Sequence, residues 1–410
     1  MAEIDCLIIG GGPAGMMAAC TVARAGVRTL LYDKNEVLGK KLRITGKGRC
    51  NVTNACTRDE FFSHIIDHPK FLYGSWAAFS PEDTVSFFEE LGVPLKTERG
   101  NRVFPVSDRA SDVADAMVRA MKQAGVTVRR GSCRALLTES EAVSGAAFAD
   151  GSKIPAKTVL LATGGASYAY TGSDGNGFVL ARSVGHTVTP IRPALVPLEI
   201  RERDICESLQ GLSLKNVSVS LIKRDGCRYR EQGEMLFTHF GVSGPLILSA
   251  SCFAKPEDLI RIDLKPALSE EMLNRRILGD LKLYQNRNFS NALGDLLPAK
   301  LIPVIVSLSG IDPCQKCHSV TREQRTALVR LFKGLSLTVS ALRPLNEAIV
   351  TSGGVCTDEV TSGMQSKRVH GLFFAGEMLD VAAFTGGYNL QIAFSTGYRA
   401  AQEIIKTISK

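Results

Sequence analysis

The stretch Ile4-Asp5-Cys6-Leu7-Ile8-Ile9-Gly10-Gly11-Gly12-Pro13-Ala14-Gly15 reads as a short apolar strand closed by G-x-G-x-x-G, and the run that follows, MMAACTVARAG, is helix-like. A second strand, VRTLLY (Val27 to Tyr32), ends at Asp33, eighteen residues beyond Gly15. That is close to the spacing of the acidic residue that takes a ribose hydroxyl pair in a dinucleotide-binding unit. The glycines have separate tasks: Gly10 permits the tight turn, Gly12 lets backbone approach a pyrophosphate, and Gly15 lets the helix lie against the sheet. The phosphates then sit at a helix N-terminus.

Further along, KTVLLA (Lys157 to Ala162) is another apolar strand, closed by Thr163-Gly164-Gly165, and GLFFAGE (Gly371 to Glu377) is a strand ending in a small-residue turn. An A-T-G turn and a late G-E strand resemble the parts that complete the cofactor domain in FAD enzymes of the glutathione reductase type. They favour FAD over NAD. Gly386-Gly387 then open an amphipathic run to the C-terminus. A helix N-terminus there would face the flavin N1 and C2 carbonyl and favour the reduced anion by about 1–2 kcal/mol. Glu377 or Asp380 would reach the ribityl hydroxyls, while Lys40 and Arg49 would offer charge to the pyrophosphate or flavin.

Four segments, GKKLRITGKGRCNVTN (Gly39 to Asn54), NRVFPVSDRASDV (Asn101 to Val113), GEMLFTHFGVSGP (Gly233 to Pro245) and GLFFAGEMLDVAAFTGGYNLQIAFSTG (Gly371 to Gly397), together resemble the BaiN/YhiN family of bacterial FAD-dependent oxidoreductases. The resemblance spans nearly the whole chain. It implies an α/β protein with a Rossmann-like FAD/NAD(P)-binding domain of glutathione reductase type, an inserted β-barrel-like domain and a small helical domain. Carried onto matching positions, it places the cofactor against Gly10, Gly12, Pro13, Ala14, Gly15, Asp33, Lys34, Lys40, Lys41, Thr45, Gly46, Gly48, Arg49, Cys50, Asn51, Arg134, Ala162, Thr163, Gly164, Gly376, Glu377, Gly387, Tyr388, Asn389, Leu390 and Gln391.

Strands of one sheet occur at both ends of the chain, so residues 1–193 with 336–410 are expected to form the FAD domain. Residues 194–262 carry short strands and turns, as in a barrel, and 263–335 read helical. Substrate is expected between the insertion and the flavin. No second strand, G-x-G-x-x-G, helix unit follows residue 60; Gly172-Ser173-Asp174-Gly175-Asn176-Gly177 follows a loop. NAD(P)H, as the expected electron donor, would therefore dock transiently.

A carbonyl-polarising donor is sought in His239, Tyr388 or Asn389. The family resemblance implies reduction of the C=C bond of 3-oxo-4-ene bile acid or steroid intermediates, with hydride from flavin N5. Two alternatives stay open: an aminoacetone-type amine oxidase using dioxygen, and a non-catalytic flavin-binding redox sensor. Five residues separate Cys50 from Cys56, where a disulfide reductase pair has four, and Cys314-Gln315-Lys316-Cys317-His318 matches the c-type haem pattern without an export signal. His64 and His68 read as a surface pair, and no metal site is expected.

The 410 residues, 45% hydrophobic and 22% charged, suit a chain that folds throughout into two or three units. Forty-nine Lys and Arg against 41 Asp and Glu give +8, scattered along the chain, so a small-molecule substrate is expected in preference to nucleic acid. Only three residues precede Ile4 and no apolar run approaches membrane-spanning length, so a cytoplasmic protein is expected. The eleven cysteines then read as reduced thiols. Nothing in the sequence sets the oligomeric state.

Overall fold

The structure, a computed structural model, describes residues 4–409. Its chain divides into two compact units, one running up to Ala194 and resuming at Leu345, the other spanning Leu195–Pro344.

The first unit is built on a seven-stranded sheet. Four strands run parallel in the order Thr127–Arg130, Thr29–Asp33, Ile4–Ile9 and Lys153–Leu161. The near-continuous apolar run of Ile4–Ile9 follows from burial on both faces: Leu7 and Ile8 are fully buried, each stabilising the fold by about 1.5–3 kcal/mol. Strand Lys153–Leu161 changes neighbour along its length. Its first half pairs antiparallel with Ala142–Phe148, the inner strand of a hairpin whose outer strand is Cys133–Glu139. Its second half, Val159 to Leu161, takes Leu372–Phe374 in parallel. The late GLFFAGE segment thereby returns to the N-terminal sheet.

Helix Pro13–Arg24 begins with proline at its first turn and packs against the C-terminal helix Tyr388–Ile408. The contact is close: a methyl group at Gly397 would lie 2.3 Å from the Ala14 carbonyl oxygen. A small three-stranded sheet (Thr53–Asn54, Arg102–Pro105, Leu95–Glu98) stands beside it.

The second unit holds a closed six-stranded barrel in the order Leu198–Ile200, Gly241–Ser243, Gly226–Thr238, Ser213–Lys223, Leu259–Asp263 and Leu335–Leu342. Its last strand lies after the helices Glu270–Leu283, Ile302–Ser309 and Arg322–Lys333. Barrel and helices share one apolar core, with Ile260, Leu273, Phe332 and Leu337 all fully buried. The structure therefore corrects two expected boundaries. Residues 336–344 belong to the barrel, because Leu335–Leu342 pairs with both Leu198–Ile200 and Leu259–Asp263 and closes it. The helical stretch is also shorter than its apolar periodicity suggested: between Phe289 and Leu301 the backbone forms only single 3₁₀ turns, where Gly294 and Pro298 interrupt it.

Candidate functional site: a dinucleotide cradle

The turn after Ile9 has the geometry its glycines require. Gly10 has φ +110°, and a methyl group there would meet the Ala162 carbonyl oxygen at 2.3 Å; one at Gly15 would meet the Gly10 oxygen at 1.9 Å. Gly12 differs, since nothing lies within 4 Å of where its side chain would be. No side chain caps the helix that Gly12 opens. Its first N–H groups and the bare backbone of Gly12 thus face open space, which is the fit an anionic pyrophosphate needs.

Asp33 stands at the end of the second strand. Its Oδ2 accepts from the Gly11 N–H at 2.7 Å, and Oδ1 accepts from the backbone and side chain of Asn35 at 2.7 and 3.0 Å. These bonds fix a carboxylate whose remaining lone pairs suit ribose hydroxyls. Ala162 continues the strand (its N–H donates to Ile9 at 2.8 Å), and the Thr163 hydroxyl lies 3.0 Å from the Met378 sulfur. Gly164 follows with φ +77°.

The basic residues near the cradle bind the chain to itself. Lys34 pairs with Asp174 at 2.7 Å, and Lys40 donates to the Tyr170 carbonyl at 2.8 Å. Lys41 donates to Glu377 Oε2 and to Ser167 Oγ, both at 2.7 Å, while Glu377 Oε1 accepts from the Thr351 N–H at 2.8 Å. Ser167 Oγ also donates to Glu377 Oε1, at 3.2 Å, so Glu377 is held in place by three chain partners. Arg49 is placed differently from its expected role as a free cation. It bridges Glu98 (2.5 Å) and Asp108 (2.6 Å) and lies 4.2 Å over the Phe104 ring.

Between Thr45 and Asn51 the backbone is left-handed at Gly46, Lys47, Gly48 and Cys50, with φ of 57°, 58°, 84° and 59°. Two of these are not glycine, and such strain clusters at ligand-binding loops. The loop leaves Asn51 Oδ1 buried without a partner, and Asn54 Oδ1 and Ser173 Oγ are in the same condition. A methyl group at Gly387 would meet that Asn51 oxygen at 3.0 Å and the Thr53 carbonyl at 2.4 Å. Gly387, at φ +99°, opens the 21-residue C-terminal helix, again with no side-chain cap. Two uncapped helix N-termini, a strained loop and unpaired polar atoms fit a cofactor with phosphates at one end and a polar ring at the other.

Several residues expected at the cofactor serve the fold. Gln391 is fully buried; its carbonyl accepts from Thr53 (2.6 Å) and Thr84 (2.8 Å), and its amide donates to Phe79 O (3.1 Å) and Ser395 Oγ (3.0 Å), leaving nothing for a ligand. Asn389 exchanges bonds with the backbone of Ala383 and donates to Phe384, pinning the loop before the helix instead of facing a substrate carbonyl. The Tyr388 ring, 5% exposed, stacks on His64 at 4.6 Å and meets Phe61 edge-on. Leu390 is half-buried, Gly376 N–H donates to Thr396 at 2.9 Å, and Arg134 is exposed on the strand Cys133–Glu139. His239 lies exposed in the turn between barrel strands, edge-on to Phe240.

His64 is no simple surface residue, since its Nδ1 lies 2.6 Å from the Glu60 carbonyl and its ring covers Tyr388. Beside it, the Ile66 N–H donates to the Ala382 carbonyl at 2.8 Å, which sets Asp67 against the segment leading into the C-terminal helix. Burial, with the Asp380 carboxylate nearby, pushes the Asp67 carboxyl above its usual range. His68 Nε2 stands 3.5 Å from Asp380. Cys50 is fully buried and its thiol is pushed up to about 12; burial also raises Cys56, so neither is a thiolate at neutral pH. Ser167, Thr351 and Ser173 escaped the sequence reading, for their roles depend on contacts hundreds of residues apart or on burial alone.

Fold and cradle define an FAD-binding flavoprotein oxidoreductase of Rossmann type. The model of the HI0933-like protein Rossmann domain matches residues 4–403, and the chain belongs to that family. It is 33% identical to a 3-dehydro-bile acid delta(4,6)-reductase of Clostridium scindens, over 96% of this chain and 97% of that protein. It is 30% identical to a ribosomal RNA dihydrouridine synthase of Escherichia coli K12, over 99% of both. Among solved structures, a 3-ketosteroid delta1-dehydrogenase from Sterolibacterium denitrificans aligns over 100% of both chains with a TM-score of 0.53 at 13% identity, a likeness of fold. Among the described residues, no helix is long and apolar enough to cross a membrane.

Proposed function

We propose that the chain is an FAD-dependent reductase that saturates a C=C bond conjugated to a carbonyl, with NAD(P)H as electron donor. The observation that carries this is the pair of end-to-end relatives. A delta(4,6)-reductase of 3-dehydro-bile acids and a dihydrouridine synthase act on different molecules. Chemically, both names describe adding two hydrogen atoms across a C=C bond polarised by a carbonyl. Bound FAD supplies the hydride from its N5. The chain would hold the pyrophosphate at Gly10–Gly15, the ribose at Asp33 and the flavin's polar edge at the Gly387 helix terminus. The reaction also needs a proton at the second carbon. Asp67, set by the Ile66 to Ala382 backbone bond against the segment that leads into the Gly387 helix, and with its carboxyl held above its usual range by burial, is the acid we assign to that step.

Two substrates fit this chemistry. A 3-oxo-4-ene steroid or bile acid is supported by the 33% relative. A uracil base within ribosomal RNA, whose C5=C6 bond is conjugated to C4=O, is supported by the 30% relative. The test is anaerobic incubation of FAD-loaded protein with NADH or NADPH and each substrate, followed by mass spectrometry. Gain of two hydrogens by either substrate supports the proposal. Absence of gain in both, with flavin bleaching by an amine and rapid reoxidation by dioxygen, replaces it with the oxidase.

A further inference from the structure

The CQKCH segment (Cys314–His318) has no part in the cradle, and its two cysteines sit in different surroundings: Cys317 is buried and Cys314 exposed. The segment instead pairs with the chain that leaves helix Glu270–Leu283. Lys316 Nζ donates to the Asn286 carbonyl at 3.1 Å and to the Asn288 side chain at 2.9 Å. His318 Nδ1 lies 2.9 Å from the Gln285 carbonyl, and the Cys317 N–H donates to the Arg287 carbonyl at 3.1 Å. Residues 282–288 and 314–318, far apart in sequence, thus form one surface patch.

Neither stretch, KLYQNRN nor CQKCH, contains Asp or Glu. Lys282, Arg287 and Lys316 are all exposed there. Of the nearby acids, Asp280 pairs with Arg276 at 3.0 Å, Asp295 accepts from the Tyr284 hydroxyl at 2.6 Å and Asp312 accepts from the Cys314 N–H at 2.8 Å. The Arg287 guanidinium lies 4.4 Å over the Tyr284 ring, and Gln285 and Asn286, which precede it in the chain, are exposed. Cations for phosphates, a stacked planar pair for a base and amides for base edges are the parts of an RNA contact. A lipid surface would call for a broad apolar face, whereas Leu283, 70% exposed, stands alone among polar neighbours.

We propose that this edge of the inserted unit binds RNA, with Lys282, Arg287 and Lys316 on its phosphates. The proposal rests on the ribosomal-RNA reading of the substrate. It also reverses the sequence expectation of no nucleic-acid partner, which followed from cations that look scattered until the chain folds.

The test uses the full-length, FAD-loaded protein and ribosomal RNA transcribed in vitro, with affinity measured by filter binding across a salt series. Lys282→Glu with Arg287→Glu, which removes two cations and the stack on Tyr284 but no side-chain hydrogen bond between the two stretches, should weaken binding at least tenfold. The same variant should lower the salt slope by about 1.5, given about 0.7–0.9 per phosphate contact. Lys316→Gln should act in the same direction with a smaller effect. FAD content and melting temperature should stay unchanged. Wild-type protein that binds no RNA overturns both this proposal and the RNA reading. Wild type and variants that bind RNA equally overturn the patch alone. Variants whose RNA loss follows lost FAD or earlier melting, or whose loss is of binding to anionic vesicles and not to RNA, also overturn it.

Discussion

Replacing Gln391 by leucine separates a structural amide from a cofactor ligand at the start of the C-terminal helix. Leucine has nearly the volume of glutamine, so little cavity forms and the effect comes from hydrogen bonds. Four are lost: those from Thr53 and Thr84 at 2.6 and 2.8 Å, and those to Phe79 and Ser395 at 3.1 and 3.0 Å. Three of these partners keep another bond, since Thr84 also donates to Ser80 and Ser395 donates to Phe79. Thr53 is left with a buried hydroxyl and no acceptor. At about 0.5–1 kcal/mol per bond the loss is about 2–4 kcal/mol, with the unpaired Thr53 hydroxyl placing it toward the upper end, and the added apolar burial offsets it in part. A net of about 2–3 kcal/mol lowers the melting temperature of the apoprotein by roughly 2–5 °C. Differential scanning fluorimetry reads this shift, and titration of apoprotein with FAD at low temperature reads the affinity, which should stay within about threefold of wild type. An apoprotein of unchanged stability that has lost FAD binding would refute the assignment.

Gly387→Ala places a methyl group 2.4 Å from the Thr53 carbonyl at a φ of +99°; flavin content after purification should fall and FAD affinity drop at least tenfold, whereas full occupancy would show that this helix terminus lies away from the flavin. His186 is buried against Ser366 (2.7 Å) and Glu359 (3.2 Å), and its burial lowers its pKa. The folded state therefore keeps it neutral where the unfolded chain takes up a proton, so the His186 contribution to stability is present above about pH 6.5 and is lost as pH falls below that. Melting temperature should decline from pH 6.5 to 5 and decline less in His186→Gln; equal slopes would contradict this. Glu359, held near 2 first by the Arg368 guanidinium, stays ionised throughout that window and does not confound it. Asp67→Asn should slow reduction of substrate while leaving flavin content unchanged, and an unaltered rate would remove Asp67 from the proton step.

What the sequence made legible was local. Ile4–Ile9, the glycine turn, helix Pro13–Arg24 and Asp33 could be read because each depends on neighbours within a few residues, and the structure places them together as a cradle. Arg49 was misjudged because its partners lie 49 and 59 residues away, and nothing beside it in the chain marks an ion pair. Gln391 was misjudged for the opposite reason: it stands four residues after the ligand-suited Gly387, yet a helix turns its side chain into the core toward Thr53 and Thr84. The barrel boundary was missed because Leu335–Leu342 completes its ladder with strands on both sides of the helical insertion. Non-local pairing of this kind leaves no periodic trace.

The central claim is that hydride passes to a carbonyl-conjugated C=C bond, and it can be tested without naming the electron donor. The FAD-loaded protein is photoreduced under anaerobic conditions and mixed with a stoichiometric amount of a 3-oxo-4-ene steroid or of unmodified ribosomal RNA, while flavin absorbance is followed. The account predicts that one of the two restores the oxidised spectrum and gains two hydrogen atoms per flavin. Flavin that stays reduced with both, yet is oxidised at once by dioxygen, would contradict it.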